Sequence, residues 1–596
     1  MAEKIVSPGV FTRERDLTFL PAGVQNIGAA VVGPTVKGPA LIPTIVSNFA
    51  EYRQIFGDSF ESGSGANLGY YSYLTSIAAE EYLRHHDTLT VVRILNEDFS
   101  GASSQVADTD GGTASFTLHT LSDGAILNNG IAGASTNGSG SAADSGTNCS
   151  LYSGSKDNIR WEVTSKNTSR GTFSLYIRSG NDSVKRKNIL ETWNNLSLDP
   201  NSTNYICKRI GDAKLNLRDS GQTDPYIQAS GSYLNKSKYV RVAIGQTTLN
   251  YIDENGNIRD DGTGTIAAGL TSSLPSEVSG TFSGGSDGTI AHPQNFYNEI
   301  TATNTQGFNP AACDEYTDAI NLLKNQDEYD INLLLLPGIC SGLAGHSGVA
   351  ASAIQMCEDR GDCFAIIDPV GFASTISDAT SEAENRDSNY AAVYWPWIQI
   401  ADNYASKNVW VPASAAMGGV YAFNDKLAAE WFAPAGLNRG GIDRAIQPER
   451  KLTHSNRDSL YDSNVNPLAT FPNSGVVAFG QKTLQKKASA LDRVNVRRLL
   501  IAAKKFIASA TRYLVFEQNT SETRNRFLSI VNPYLESVQQ RQGLYAFKVV
   551  MDESNNTPDV IDRNEMVGQL FLQPTRTAEF IIIDFNVLPT GAAFPE

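Results

Sequence analysis

Gly284-Gly-Ser-Asp-Gly288 fits the Gly-x-Ser-x-Gly pattern of a nucleophilic serine. That chemistry needs a strand before the serine, a helix directly after it, and histidine and acid partners downstream. Ser276 to Phe282 is polar and broken, and Thr289-Ile-Ala-His-Pro293 does not open a helix. A glycine-rich turn is therefore expected. Cys357, Cys363 and His346 are the residues closest to a metal set, but a Cys-x5-Cys spacing misses the usual zinc arrangements. With Cys357 on a helix face and Cys363 at a strand start, core packing is expected. His85 and His86 are adjacent and cannot share one helix face. No Gly-x4-Gly-Lys-Ser/Thr loop occurs, so nucleotide hydrolysis is not expected to drive motion. No cofactor, metal or enzymatic activity is expected; an α/β hydrolase with a β-rich accessory domain would need a serine, histidine and acid set that the sequence does not assemble.

The 596 residues exceed what one core usually supports, so two to four domains are expected. A net charge of −15 disfavours wholesale binding to nucleic acid or anionic membrane. The start lacks the pattern of a secretory signal, and no apolar run approaches a membrane span, so folding in a cytoplasm without membrane contact is expected. Six scattered cysteines form no disulfide framework, and free thiols are expected.

Residues 1–22 hold Pro8, Gly9 and Pro21 and the apolar pairs Ile5/Val6 and Val10/Phe11, which predicts an extended arm. Asn26 to Val32 predicts a strand, and Ser47 and Asn48 ahead of Glu51 predict a capped helix. A helix over 68–86 and a strand over 89–95 complete a β-α-β unit. From about 100 to 150 the composition turns to Gly, Ser, Ala, Thr, Asp and Asn, which predicts loops on an exposed β-rich module. Ile159 to Val163 and Thr172 to Ile177 alternate as strands. Beyond 310, helices alternate with continuous apolar strands at 330–336 and 363–368, the pattern of an α/β core. A final helix over 494–515 is expected to be the longest.

The expected fold class is multidomain α+β and α/β. An α/β C-terminal core carries extended N- and C-terminal strand arms, with β-rich outer domains inserted. The division is 1–22 as a linking arm, 23–96 with 201–310 as an intermediate α/β domain, 97–200 as the outward insertion, 311–575 as the core, and 576–596 as the C-terminal arm.

Two strand-like runs end the chain. Tyr545, Phe547, Val549 and Met551 alternate along 544–551, and Ile581, Ile583, Phe585 and Val587 alternate along 579–587. A long apolar strand at a chain end is an aggregation hazard unless its edge is paired. Pairing with another copy would answer the hazard.

Between Gln481 and Arg526 stand eleven basic residues against three acidic ones, opposing the sign of the whole chain. Val496, Leu499, Leu500, Ala503, Phe506, Ile507, Ala510, Tyr513 and Leu514 form an apolar helical stripe, while Arg498, Lys505 and Arg512 repeat every seven residues. The ridge, with Arg497 and Lys504, is either a solvated face with local ion pairs or a contact to an acidic partner.

Eight segments in order carry a family resemblance: Ser7-Pro-Gly-Val10, Glu191-Thr-Trp-Asn-Asn-Leu-Ser-Leu-Asp-Pro200, Gly284-Gly-Ser-Asp-Gly288, Tyr394-Trp-Pro-Trp397, Val411-Pro-Ala-Ser414, Trp431-Phe-Ala-Pro-Ala-Gly436, Asn495-Val-Arg-Arg498 and Val560-Ile-Asp-Arg-Asn564. Together they resemble the tail sheath proteins of contractile-tailed bacteriophages of the T-even type. Residues 100–150 take no part in the match.

The resemblance implies a structural polymer of stacked six-membered rings around a tail tube, which contracts to drive the tube through the host envelope. It implies assembly in the host cytoplasm and residence in the virion tail. The implied partners are further copies of the chain, the tube, the baseplate and the tail terminator. The core would face the tube, with Arg497, Arg498, Lys504, Lys505 and Arg512 against it. The implied strand linkage uses Ile5, Val6, Val10 and Phe11 from one arm and Phe580, Ile581, Ile583, Phe585 and Val587 from the other. Tyr545, Phe547 and Val549 would lie on the receiving edge. A bacteriocin-like contractile injection system is the alternative within the class, and the large insertion favours a phage.

Overall fold

The computed structural model describes residues 27–579, apart from 63–68, 97, 110–112, 126–156, 181, 183–185, 223, 260–270, 289–299, 312–313, 404–405 and 473. Ile5, Val6, Val10, Phe11, Phe580, Ile581, Ile583, Phe585 and Val587 lie outside the described residues. The chain divides into two units. The larger holds Gly28–Ala502 with Pro574–Glu596, and the smaller holds Met1–Ile27 with Ala503–Gln573.

Ile331–Cys340 is buried along its whole length, which is why Leu333 to Leu336 reads as a continuous apolar run rather than an alternating one. It sits inside an eight-stranded sheet of the larger unit. The order is Thr44–Val46, Leu89–Arg93, Gly28–Gly33, Ile331–Cys340, Phe364–Asp368, Ala391–Trp395, Val465–Phe471 and Gly475–Ala478. The six inner strands are parallel, and each outermost strand is antiparallel to its neighbour.

Because side chains alternate across a strand, Leu333 and Leu335 enter one core while Leu334 and Leu336 enter the other. Helices Leu74–Leu83 and Ala413–Leu427 fill the first core, and Asp314–Leu322, Ser347–Arg360 and Ile376–Glu384 fill the second. Glycine inside Ala413–Leu427 costs helix propensity of about 1 kcal/mol per residue. Close approach explains it: a Cβ on Gly418 would stand 2.7 Å from Leu335 Cδ1, and one on Gly419 would stand 2.8 Å from the Glu81 carbonyl oxygen.

The expected cap at 47–51 forms. Asn48 Oδ1 accepts the Glu51 N–H, and Ser47 donates its N–H and O–H to Glu51 Oε2, opening helix Phe49–Phe56. Val411-Pro-Ala-Ser414 also gains a structural meaning. In the first turn of its helix Ser414 donates both N–H and Oγ–H to Asp368, buried at a strand end. Burial pushes the Asp368 carboxyl up to about 7 against those bonds.

The domain expectations need three corrections, two of them in the larger unit. Strands from 28–93 pair within the same sheet as strands from 331–478, so 23–96 is not part of a separate intermediate domain with 201–310. The β-rich insertion also does not stop at 200. Val240–Ile244 pairs with Ala114–Asp123, and Ser279–Thr281 pairs with Ile159–Asn167. One core, with Phe116, Trp161, Phe173, Val242, Leu274 and Phe282, spans both parts. Strand pairing between distant segments overrides the composition shift that suggested the boundary.

In the smaller unit, helix Val494–Thr511 arrives from the larger unit and Ser521–Gln540 follows. The expectation that the first is the longest is corrected, since it has 18 residues and the second has 20. Pro533 lies inside the second helix and removes one backbone donor there. The helices meet through Phe506 and Tyr534, whose rings stack 3.8 Å apart. The division also places Ala503–Gln573 in a unit of its own, so 311–575 is not one core.

Candidate functional site

The residues with chemical potential are tied up in structure. Ser286 accepts the Gly288 N–H and bridges the backbone of Ser100, while Gly284 and Gly288 take positive φ of 86° and 76°. The segment is a glycine-rich turn laid along the start of the β-rich module. His346 Nδ1 accepts the Cys340 N–H at 3.1 Å, which leaves Nε2–H to donate to the Thr301 carbonyl at 2.8 Å. Burial lowers its pKa to about 4. Cys357 and Cys363 lie in the second sheet core, where burial raises the Cys357 thiol. Among the described residues no group of three or more His, Cys, Asp or Glu could hold a metal ion, and no helix is long and apolar enough to cross a membrane.

The expected receiving strand is present as Leu544–Val550. Its partner is Gln569–Pro574, and the two form a two-stranded sheet of their own. Sequence reasoning missed that second strand. Its alternation of Leu570 and Leu572 against Gln569, Phe571 and Gln573 is the signal that could have found it.

Among the described residues no further strand pairs with either outer edge, and the apolar residues are far from covered. Tyr545 is 66% exposed and Phe571 56% exposed, while Phe547 and Val549 are half-buried. An isolated two-stranded ribbon is marginal in water. This one rests on Ser521–Gln540, with Gln539 Nε2 bound to the Tyr545 carbonyl. Its connection is pinned by Asn556, which is 2% exposed. That side chain donates to the Asp552 and Val567 carbonyls and accepts the Val567 N–H at 2.9 Å. Asn519 joins it and holds the Glu565 carbonyl. The result is a ribbon backed by a helix, whose outer edges meet no further strand among the described residues.

The basic helix departs from expectation. Arg497 and Arg498 do not face outward: Val494 to Leu499 is buried on every side because the helix starts inside the core. Arg498 forms a fork on Asp425, Nη1 to Oδ1 at 2.7 Å and Nη2 to Oδ2 at 2.5 Å, and lies 4.9 Å from the Tyr421 ring centre. Burial works against its charge, but Asp425 outweighs burial and raises the guanidinium pKa. Arg497 donates to Asn389 Oδ1 at 2.7 Å and stacks on Tyr390. Lys505 is also buried, whereas Lys504 and Arg512 are exposed. The seven-residue repeat therefore forms no continuous solvent-facing ridge. Heptad spacing fixes a side of the helix, not what lies against that side.

Glu579, expected to begin the C-terminal strand, has its own role in the larger unit. Its carboxylate accepts from Arg493 Nε at 2.7 Å and Nη2 at 3.0 Å, from the Tyr461 hydroxyl at 2.9 Å and from Gln481 Nε2 at 3.2 Å.

Residues 314–484 match the family described as phage tail sheath protein central domain, and residues 486–587 match the phage tail sheath C-terminal domain. The tail sheath protein of Vibrio phage KVP40 is 38% identical over 226 residues, which cover 38% of this chain and 34% of that protein. The tail sheath protein of Enterobacteria phage T4 is 32% identical over 298 residues, covering 47% of this chain and 45% of that protein. The match thus spans under half the length of these curated relatives. The crystal structure of the sheath tail protein from Listeria innocua shares the fold with a TM-score of 0.53, at 10% identity, over 92% of this chain and 96% of that one. Residues 314–484 and 486–587 thus carry the central and C-terminal domains of the phage tail sheath family.

Proposed function

We propose that the chain is a structural subunit of a contractile phage tail sheath, without enzymatic activity. It polymerises as stacked six-membered rings around a tail tube and contracts to drive the tube through the host envelope. Copies are linked when N-terminal residues 5–11 and C-terminal residues 580–587 add as strands to the edges of the Leu544–Val550 and Gln569–Pro574 ribbon of a neighbour. The ribbon carries this reading: outer edges with no further strand among the described residues, apolar side chains left exposed and a helix behind it, inside the segment that matches the sheath C-terminal domain.

A strand addition of about five main-chain bonds at roughly 1 kcal/mol each is modest alone. Repeated through a lattice, it keeps subunits connected while other interfaces slide. The tube, baseplate and tail terminator are the proposed further partners, and the virion tail is the proposed location. Motion draws on conformational energy stored at assembly.

The test compares the full chain with a chain ending at Glu579, which keeps the carboxylate contacts but lacks the strand. Negative-stain microscopy of the full chain is expected to show hollow cylinders, and the shortened chain is expected to stay as dispersed particles. Cylinders from the shortened chain would overturn the linkage.

A further inference from the structure

Glu579 stands immediately before the segment proposed to cross to a neighbour, and three residues give four hydrogen bonds to its carboxylate. They come from two pieces of the larger unit. Arg493 and Lys482 bridge in a short antiparallel pairing, extended by Thr483 N–H to the Asp492 carbonyl and Val494 N–H to the Gln481 carbonyl. That pairing sets Gln481 and Arg493 side by side. Tyr461 comes from helix His454–Asp462 and is packed under Lys482, whose Nζ lies 4.4 Å from the ring centre. Thr577 adds a second tie, its hydroxyl 2.5 Å from Gln481 Nε2. Asp492 shares Arg493 at 3.2 Å, which fixes the guanidinium from its other side. Burial alone would raise the Glu579 carboxyl, but the Arg493, Tyr461 and Gln481 bonds hold it below the ordinary range. A half-buried glutamate held by three donor residues, one of them a two-bond arginine, is a built socket.

We infer that the Glu579 socket is the anchor of the C-terminal arm, a positioning residue that fixes the point from which the arm leaves its own subunit. This rests on the strand-linkage reading above. The physical argument is reach. With Glu579 seated, the arm has only the residues after it to span to a neighbour. Unseated, the chain from Pro574 to Glu579 joins the arm and adds roughly 17 Å of extended reach. A seated anchor removes that slack, so movement of one subunit is passed to the next rather than absorbed by loose chain. It also lowers the entropy cost of finding the receiving edge, as a short tether does.

Arg576 is exposed, three residues before the anchor, and gives a direct readout. The full chain is treated with trypsin, and release of 577–596 is timed by mass spectrometry. Glu579→Gln and Arg493→Gln are each expected to speed that release at least tenfold. Tyr461→Phe, which loses one of the four bonds, is expected to fall between them and the unchanged chain. Thermal unfolding of all three is expected to stay near that of the unchanged chain, which separates anchoring from folding. An unchanged release rate in Glu579→Gln would overturn the anchor and leave the sheath reading standing. Failure of the unchanged chain to form cylinders would overturn the sheath reading while the trypsin result still decides the anchor.

Discussion

Arg498 and Asp425, 73 residues apart, form a two-bond fork with Arg498 only 3% exposed. The fork joins the start of helix Val494–Thr511 to the end of helix Ala413–Leu427. Removing one partner leaves the other charge buried and uncompensated, which costs about 3–5 kcal/mol. Asp425→Ala and Arg498→Met are each expected to lower stability by that order in urea unfolding of the isolated chain. Reversing Arg498 to Glu would therefore impair assembly by misfolding. A soluble Arg498→Glu chain with unchanged unfolding would contradict the fork's role.

Lys504 and Arg512 are the exposed members of the expected basic ridge. If the helix meets an acidic tube, the contact depends on these two and is screened by salt. Lys504→Glu with Arg512→Glu is expected to change stability by less than about 0.5 kcal/mol, as surface substitutions do. The same pair is expected to reduce the yield of tails sheathed around tubes, most at low salt. Electron micrographs counting sheathed against naked tubes check this.

Asn556 closes the connection between the two ribbon strands through one donor and acceptor set. Asn556→Ala leaves the half-buried Val567 N–H without its side-chain acceptor, at a cost of about 1 kcal/mol. Hydrogen exchange is expected to quicken across 544–574, with the central sheet strands unaffected. Cylinder formation is expected to fall with it.

His346 links folding to pH. Its neutral ring uses both nitrogens, and a proton on Nδ1 would break the bond from the Cys340 N–H. The folded pKa of about 4 lies below the usual unfolded value of about 6.5, so the unfolded chain binds more protons between them. The His346 contribution is present above pH 6.5 and is lost as pH falls through 4. His346→Gln is expected to cost more stability at pH 8 than at pH 4.5, measured as the gap in urea midpoint between variant and unchanged chain. Equal gaps at the two pH values would contradict the bonding pattern.

Much of the α/β core was legible because burial on both faces writes itself into sequence as runs such as Ile331–Leu336, and helix 347–360 follows its spacing. The capped helix at 49–56 was equally plain. What stayed hidden depends on long-range partners. Strand pairing of 240–244 and 279–281 with 114–123 and 159–167 leaves no local trace, so the β-rich module was cut short. Asp425 gives no sign in sequence that it will receive Arg498, and a helix that enters a core keeps its arginines inside. The second ribbon strand, Gln569–Pro574, is six residues long and ends in proline, so its alternation was easy to pass over. Glu579 looks like the first residue of a strand until Arg493, Tyr461 and Gln481 are seen around it.

In the proposed sheath, the ribbon of one copy receives strands from others. A reconstruction of the assembled sheath, resolved well enough to trace main chain at Leu544–Val550 and Gln569–Pro574, tests it most directly. A four-stranded sheet is expected there, with 580–587 of one neighbouring copy and 5–11 of another on its two outer edges. A ribbon whose edges stay bare, or are filled by strands of its own chain, would contradict it.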